Sequence, residues 1–252
     1  MTRRGRSGQI LAVSALVIAL IMISTATYIY DLSGSIGDGE AYLLNDYVRS
    51  IMLNSKHAII SALANITDGG SGETLVANLN TWSTAVEKQY ELGTLTLNYT
   101  LKSTPPYVSG LYINWGTDGN GVSEAYADFR LNASGKELKL QYPFYVNVSA
   151  RLKVEGYLTQ VSPLSQQVTV VCRLFNEEQP ALARNVTIYY RELIGVWTVS
   201  GVANNYTLVD YGNGTYRATF TVDTLATSLD VSTRVFDGRD ILVQANATLT
   251  QQ

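Results

Sequence analysis

Cysteine is almost missing from this chain: Cys172 stands alone among 252 residues. A single thiol makes no internal disulfide, so the fold must hold by packing. Histidine is just as scarce, with only His57. One histidine excludes an HExxH motif and any His-rich metal cluster. No Walker-type phosphate loop and no GxSxG nucleophile turn occurs in the sequence. Charged residues make up 15% and the net charge is −3, which gives no basic footprint for nucleic acid. The stretch TDGNGVSE offers Asp118, Asn120 and Glu124 as oxygen ligands for calcium. It lacks the order of an EF-hand loop and reads as a glycine-rich hairpin turn. No catalytic residue, metal site or cofactor is expected, and the chain is read as a non-enzyme.

What is abundant is apolar and uncharged sequence. No Asp, Glu, Lys, Arg or His occurs from Ser7 to Tyr30, and the strongly apolar part runs from Ile10 to Ile29. At ~1.5 Å per residue, about twenty helical residues span a hydrocarbon core of about 30 Å. Arg3, Arg4 and Arg6 precede the run, and Asp31, Asp38 and Glu40 follow it. The positive-inside bias therefore sets the N-terminus in the cytoplasm and residues after about Asp31 outside. Tyr28 and Tyr30 fall at the outer end, where amphipathic rings favour the interface.

Arginines, then Gly8-Gln9, then an uninterrupted apolar helix resemble the class III signal of archaeal type IV pilins and archaellins. The resemblance covers residues 3–30. It implies cleavage between Gly8 and Gln9 by a prepilin peptidase, loss of the basic leader, and retention of the helix as membrane anchor and filament core. The fifth mature position, a glutamate in many pilins, is Val13 here. Two other fates stay open on the residues alone: an uncut signal anchor, or signal-peptidase cleavage after Ala26 in STATY with release of the chain.

Beyond the run, SGSIGDGE (Ser33 to Glu40) breaks the helix with three glycines. Apolar residues then recur every three to four positions over residues 40–64, and again over 73–90 through Leu75, Leu79, Trp82 and Val86. These predict a helical hairpin. From Leu92 the period becomes two. The longest alternation runs from Leu138 to Leu158, with Pro143 on its polar side; a bend near Pro143 or a change of sheet near Gly156 is expected, because one strand of that length is unusual. After Thr159, seven short strands are predicted near 167–175, 185–191, 195–200, 206–211, 215–222, 228–236 and 241–249. The expected fold is mainly β with N-terminal helices. It comprises a leader (1–8), a transmembrane helix (9–32), an extracellular helical hairpin (33–91), a first β-region (92–158) and an immunoglobulin-like β-sandwich (159–252). Cys172 falls on the apolar parity of its strand, which predicts a buried structural thiol.

N-x-S/T sequons occur at Asn65, Asn98, Asn132, Asn147, Asn185, Asn205, Asn213 and Asn246. In strands these asparagines have outward parity, which suits glycan attachment outside the membrane. The same spacing is what any solvent-facing strand of Asn and Thr looks like. Outward Tyr145 and Tyr157 are candidates to stack on a glycan or a neighbouring subunit. The functional expectation is a single-pass surface protein without catalytic activity, a pilin-like structural or adhesive subunit. Its partners would be the membrane, copies of itself in an oligomer or filament, and an envelope protein or glycan. The alternative is a non-polymerising anchored glycoprotein or binding module.

Overall fold

The computed structural model describes residues 46–89, 94–134, 139–192 and 195–252. The expected leader, apolar span and Gly8-Gln9 processing site lie outside the described residues. Among the described residues, no helix is long and apolar enough to cross a membrane. Residues 52–252 form one compact unit, described below; of the other unit, ending at Ile51, residues 46–51 are described and are helical.

Among the described residues the chain is mainly β, with antiparallel strands and two α-helices. Helix α1 continues to residue 67, and α2 spans Thr74–Gln89. Ile59 and Leu63 of α1 and Leu75 and Leu79 of α2 are fully buried, as an apolar stripe at helical spacing requires. Polar contacts fix the hairpin. The Trp82 indole N–H donates to Ser55 Oγ at 2.9 Å, and Asn78 Nδ2 donates to the Ala58 carbonyl at 3.4 Å.

The strands are β1 (Thr94–Leu101), β2 (Leu111–Trp115), β3 (Asn120–Ser134), β4 (Lys139–Ser162), β5 (Ser165–Asn176), β6 (Gln179–Pro180), β7 (Ala183–Arg191), β8 (Thr198–Val199), β9 (Asn204–Asp210), β10 (Thr215–Val222), β11 (Ser228–Asp237) and β12 (Leu242–Thr250). One sheet has the order β1-β3-β4-β5-β10-β9, with β2 beside β3 and β6 beside β5. The second has the order β12-β11-β7-β8 and is layered on the first through β12 and β11. Six of the seven strands expected after Thr159 are present in full, and the one expected near 195–200 is cut to the two residues of β8 by a 3-10 turn at Ser200–Val202.

The long alternation is a single strand. β4 runs unbroken for 24 residues and stays in one sheet, against the expected change of sheet near Gly156. It changes neighbour at residues 150–153, earlier than Gly156: β3 pairs with 139–153 and β5 with 150–162, within one sheet. β4 thus crosses residue 158 while joining both β-regions. Pro143 lies opposite Arg130, in the part of β4 that β5 does not reach, so its missing N–H removes no bond on that open side.

The reason one strand can be so long is that its apolar face has two successive covers. Val146, Val148 and Ala150 are buried beside Ala125, Ala127, Phe129 and Leu131 of β3 and Leu95 and Leu97 of β1. The helical hairpin lies on this end, with α2 against β1. Farther on, Leu152, Val154 and Leu158 meet the second sheet, whose Val231, Val235, Val243, Ala245 and Leu249 are buried with Val170, Leu174 and Phe220 of the first. Close approach there depends on two glycines. A Cβ on Gly121 would come within 2.0 Å of the Gln244 carbonyl oxygen of β12, and one on Gly156 within 3.1 Å of Leu249 Cδ1 on the same strand.

The outer edge of β12 is capped along its length. Leu242 N–H donates to Thr67 Oγ1 at 3.1 Å, and its carbonyl accepts from Ser123 Oγ at 2.7 Å. Asn246 N–H donates to the Gly116 carbonyl at 2.9 Å and its carbonyl accepts from Gly119 N–H at 2.8 Å. Gln252 N–H reaches the Leu158 carbonyl at 3.1 Å. An edge so occupied is closed to strand addition.

Candidate functional site

Antiparallel register lines up side chains across β1, β3 and β4 on the face away from the helices. Thr96, Asn132 and Gln141 form one row, Asn98, Arg130 and Pro143 the next, and Thr100, Asp128 and Tyr145 the third. Side chains within a row are about 5 Å apart and rows about 7 Å apart, as pleated geometry dictates. The rows line an open groove of about 730 Å³. Its chemistry is amide, hydroxyl and one charge of each sign, with one exposed ring, Tyr145, at 66%. Asn132 Nδ2 donates to Thr96 Oγ1 at 3.4 Å, while its Oδ1 is buried with no partner among the described residues.

Next to the groove the face becomes aromatic. The Tyr145 ring stacks on Tyr126 with centroids 5.7 Å apart and planes 5° from parallel. Tyr126 leans on Tyr107, and Tyr107 meets Tyr112 edge-on. The Lys102 ammonium sits 4.5 Å from the Tyr107 ring centre and 4.3 Å from that of Tyr126, where the ring faces attract a cation.

Beneath these rings lies Glu124, only 2% exposed. It accepts hydrogen bonds from Tyr107 Oη, from Asn147 Nδ2 at 2.8 Å and from Arg151 Nη2 at 3.4 Å. A carboxylate taken from water needs such partners, because an unpaired buried charge is prohibitively costly. Burial, followed by donation to Glu124, pushes the Tyr107 phenol above its ordinary value. Glu124 has both oxygens engaged and is shut off from solvent. The surface therefore presents a rigid ring beside a lattice of donors and acceptors, suited to holding a polar ligand.

A second buried carboxylate, Asp237, accepts from Arg239 Nε at 2.8 Å and from the Ile241 N–H at 3.0 Å. The same guanidinium reaches Glu177 Oε1 at 2.6 Å and the Ser149 carbonyl at 2.9 Å. Lys56 of α1 approaches the other Glu177 oxygen at 3.6 Å. This cluster ties the turn between β11 and β12 to β4 and to α1.

The sequence candidates separate as follows. Asp118 and Asn120 are exposed and bond to each other through Asn120 N–H and Nδ2; those bonds lower the Asp118 pKa. Glu124 is spent elsewhere, so the three oxygens considered for calcium do not converge. Among the described residues no group of three or more His, Cys, Asp or Glu side chains is placed to hold a metal. His57 is exposed on α1. Cys172 is fully buried and donates to Thr233 Oγ1 at 3.7 Å. Burial pushes its thiol up to about 12. Tyr157 lies twelve residues along β4 from Tyr145, about 40 Å away, so the two tyrosines do not share a site.

The sequons also divide. Asn65, Asn98, Asn185, Asn205 and Asn213 are exposed; Asn132, Asn147 and Asn246 are half-buried. Asn147 Nδ2 is committed to Glu124, and Asn246 Nδ2 to the Trp115 carbonyl at 3.4 Å. Asn65 and Asn185 border a second open pocket of about 500 Å³ with Arg184 and Asp240, which pair with each other.

Sequence reasoning missed the Glu124–Tyr107–Asn147–Arg151 cluster. Parity sets Asn147 and Arg151 outward, but the folding of residues 102–110 over that face has no periodic signal. No protein-family model matches the chain, and no curated protein matches it.

Proposed function

We propose that the chain is a membrane-anchored cell-surface protein of pilin-like type, whose immunoglobulin-like β-sandwich and helical hairpin form its exterior. The carrying observation is the uncharged apolar run from Ile10 to Ile29, flanked by arginines before and acids after, ahead of a β-rich body. The resemblance of residues 3–30 to a class III signal supports processing between Gly8 and Gln9. Its work is structural or adhesive and non-covalent: the apolar helix supplies assembly, and the sandwich displays a weakly charged surface. Mass spectrometry of the N-terminal peptide from native cells tests the reading. A mature end at Gln9, with the protein pelleting in sheared fibres, supports a filament subunit. A start at Thr27 would mean a disposable signal and sink the anchor.

The open groove beside Tyr145 favours a second reading, a non-polymerising binding module on the same anchor. An intact leader and retention with membranes after shearing would support that reading.

A further inference from the structure

We infer that Asn98 is an N-glycosylation site and that the groove beside it seats the attached sugar. The inference rests on the reading that residues after about Asp31 are exported. Asn98 and Thr100 are two residues apart on β1, so the sequon amide and hydroxyl share one face, in adjacent rows. Both are exposed and both line the groove. Among the described residues the Asn98 side chain makes no hydrogen bond, so Nδ2 is free to react. No other sequon combines these features. At Asn65 the hydroxyl of Thr67 is buried and bonded to the Leu63 carbonyl at 2.9 Å. Asn205 Nδ2 is turned to Thr221 Oγ1 at 3.4 Å, and Asn213 and Asn185 do not line this groove.

The groove supplies what a sugar uses. Tyr145 offers an apolar ring face, held flat by its stack on Tyr126. Gln141 adds a donor and an acceptor. Asp128 and Arg130 balance in charge, which suits a neutral ligand. In the transfer, the bond from Nδ2 to the anomeric carbon forms as that carbon's bond to the phosphate oxygen of a lipid-linked oligosaccharide breaks. The phosphate leaves with the electron pair, Nδ2 gives up one proton, and nothing is oxidised or reduced.

Glycopeptide mapping of the full chain from native membranes tests this. Sugar mass is expected on the Asn98 peptide and none on Asn147 or Asn246. Thr100→Ala removes it and Thr100→Ser retains it. Tyr145→Ala keeps the mass but speeds periodate oxidation of the sugar on the folded chain. Bare Asn98 beside sugar on Asn185 or Asn213 overturns the inference while export stands. Sugar on Asn98 whose oxidation ignores Tyr145→Ala overturns the seat. If every sequon is bare the inference fails, and protease digestion of intact cells then decides export separately. A bare chain retained on immobilised mannan would give the groove to a foreign sugar instead, which also overturns it.

Discussion

The two faces of β3 and β4 are made from one alternating pattern, yet they do different work. The inner face is apolar apart from the buried Ser123, from Leu131 and Val148 under the hairpin to Leu152 and Val154 under the second sheet. The outer face carries the polar rows, the stacked tyrosines and the buried Glu124 cluster. The difference teaches that strand parity assigns side chains to faces, while what then covers each face decides whether a residue is core, network or display. Polar outward residues are not uniformly solvated: Glu124 is buried and Tyr145 is open.

The inner face should be the more fragile. Gly121→Ala forces a Cβ into the Gln244 backbone and should separate β3 from β12, costing about 3 kcal/mol in chemical denaturation, the upper end for overpacking. A loss under 1 kcal/mol would mean the sheets are not closely layered there. Removing Arg239 tests the polar pin between layers. Arg239→Ala strands the buried Asp237 carboxylate and should cost about 3–5 kcal/mol. Arg239→Lys should recover only part of this, because one ammonium cannot reproduce the fork to Asp237, Glu177 and Ser149.

Alkaline pH sharpens the comparison, because burial raises the pKa of Cys172 and Tyr99 on the inner side and of Tyr107 and Tyr126 on the outer side. Cys172 is raised to about 12 and Tyr107 lies above its ordinary value, so the fold favours their neutral forms. Their contribution is intact below about pH 9 and 10 and is lost as pH climbs through the folded values. Denaturation midpoints should fall above pH 9. Cys172→Ala should flatten the inner-face share and Tyr107→Phe the outer-face share; a slope unchanged in both variants would assign the loss to other groups. The smallest effect belongs to the display surface. Tyr145→Ala should shift stability by no more than about 0.5–1 kcal/mol, since the ring is 66% exposed and gives up one stack. A loss of several kcal/mol would make it a structural residue.

Much of this was legible because periodicity is local. The change from helical spacing to alternation after Leu92, six of the seven later strands and the burial of Cys172 follow from residues a few positions apart. The course of β4 was not. The length of the alternation predicts a bend near Pro143 or a change of sheet near Gly156, because the sequence does not say that β3 accompanies residues 139–153 and β5 residues 150–162. The sequons illustrate the same limit: parity put Asn98 and Asn147 alike on the outside, and only the loop bearing Tyr107, with Arg151 from β4, turned Asn147 into a ligand of Glu124.

By itself, then, the sequence determined the class of structure, the face on which each strand residue falls, the lack of disulfide bonding and the apolar run that precedes the body. These follow from backbone period, thiol count and hydrophobic length, none of which needs a distant partner. Tertiary structure alone decided which outward residues are buried, which amides remain free, and where one strand passes from the cover of helices to the cover of a second sheet. Those outcomes depend on contacts between residues far apart in the chain, such as Ser123 with Leu242 and Thr67 with Leu242, and no local pattern encodes them.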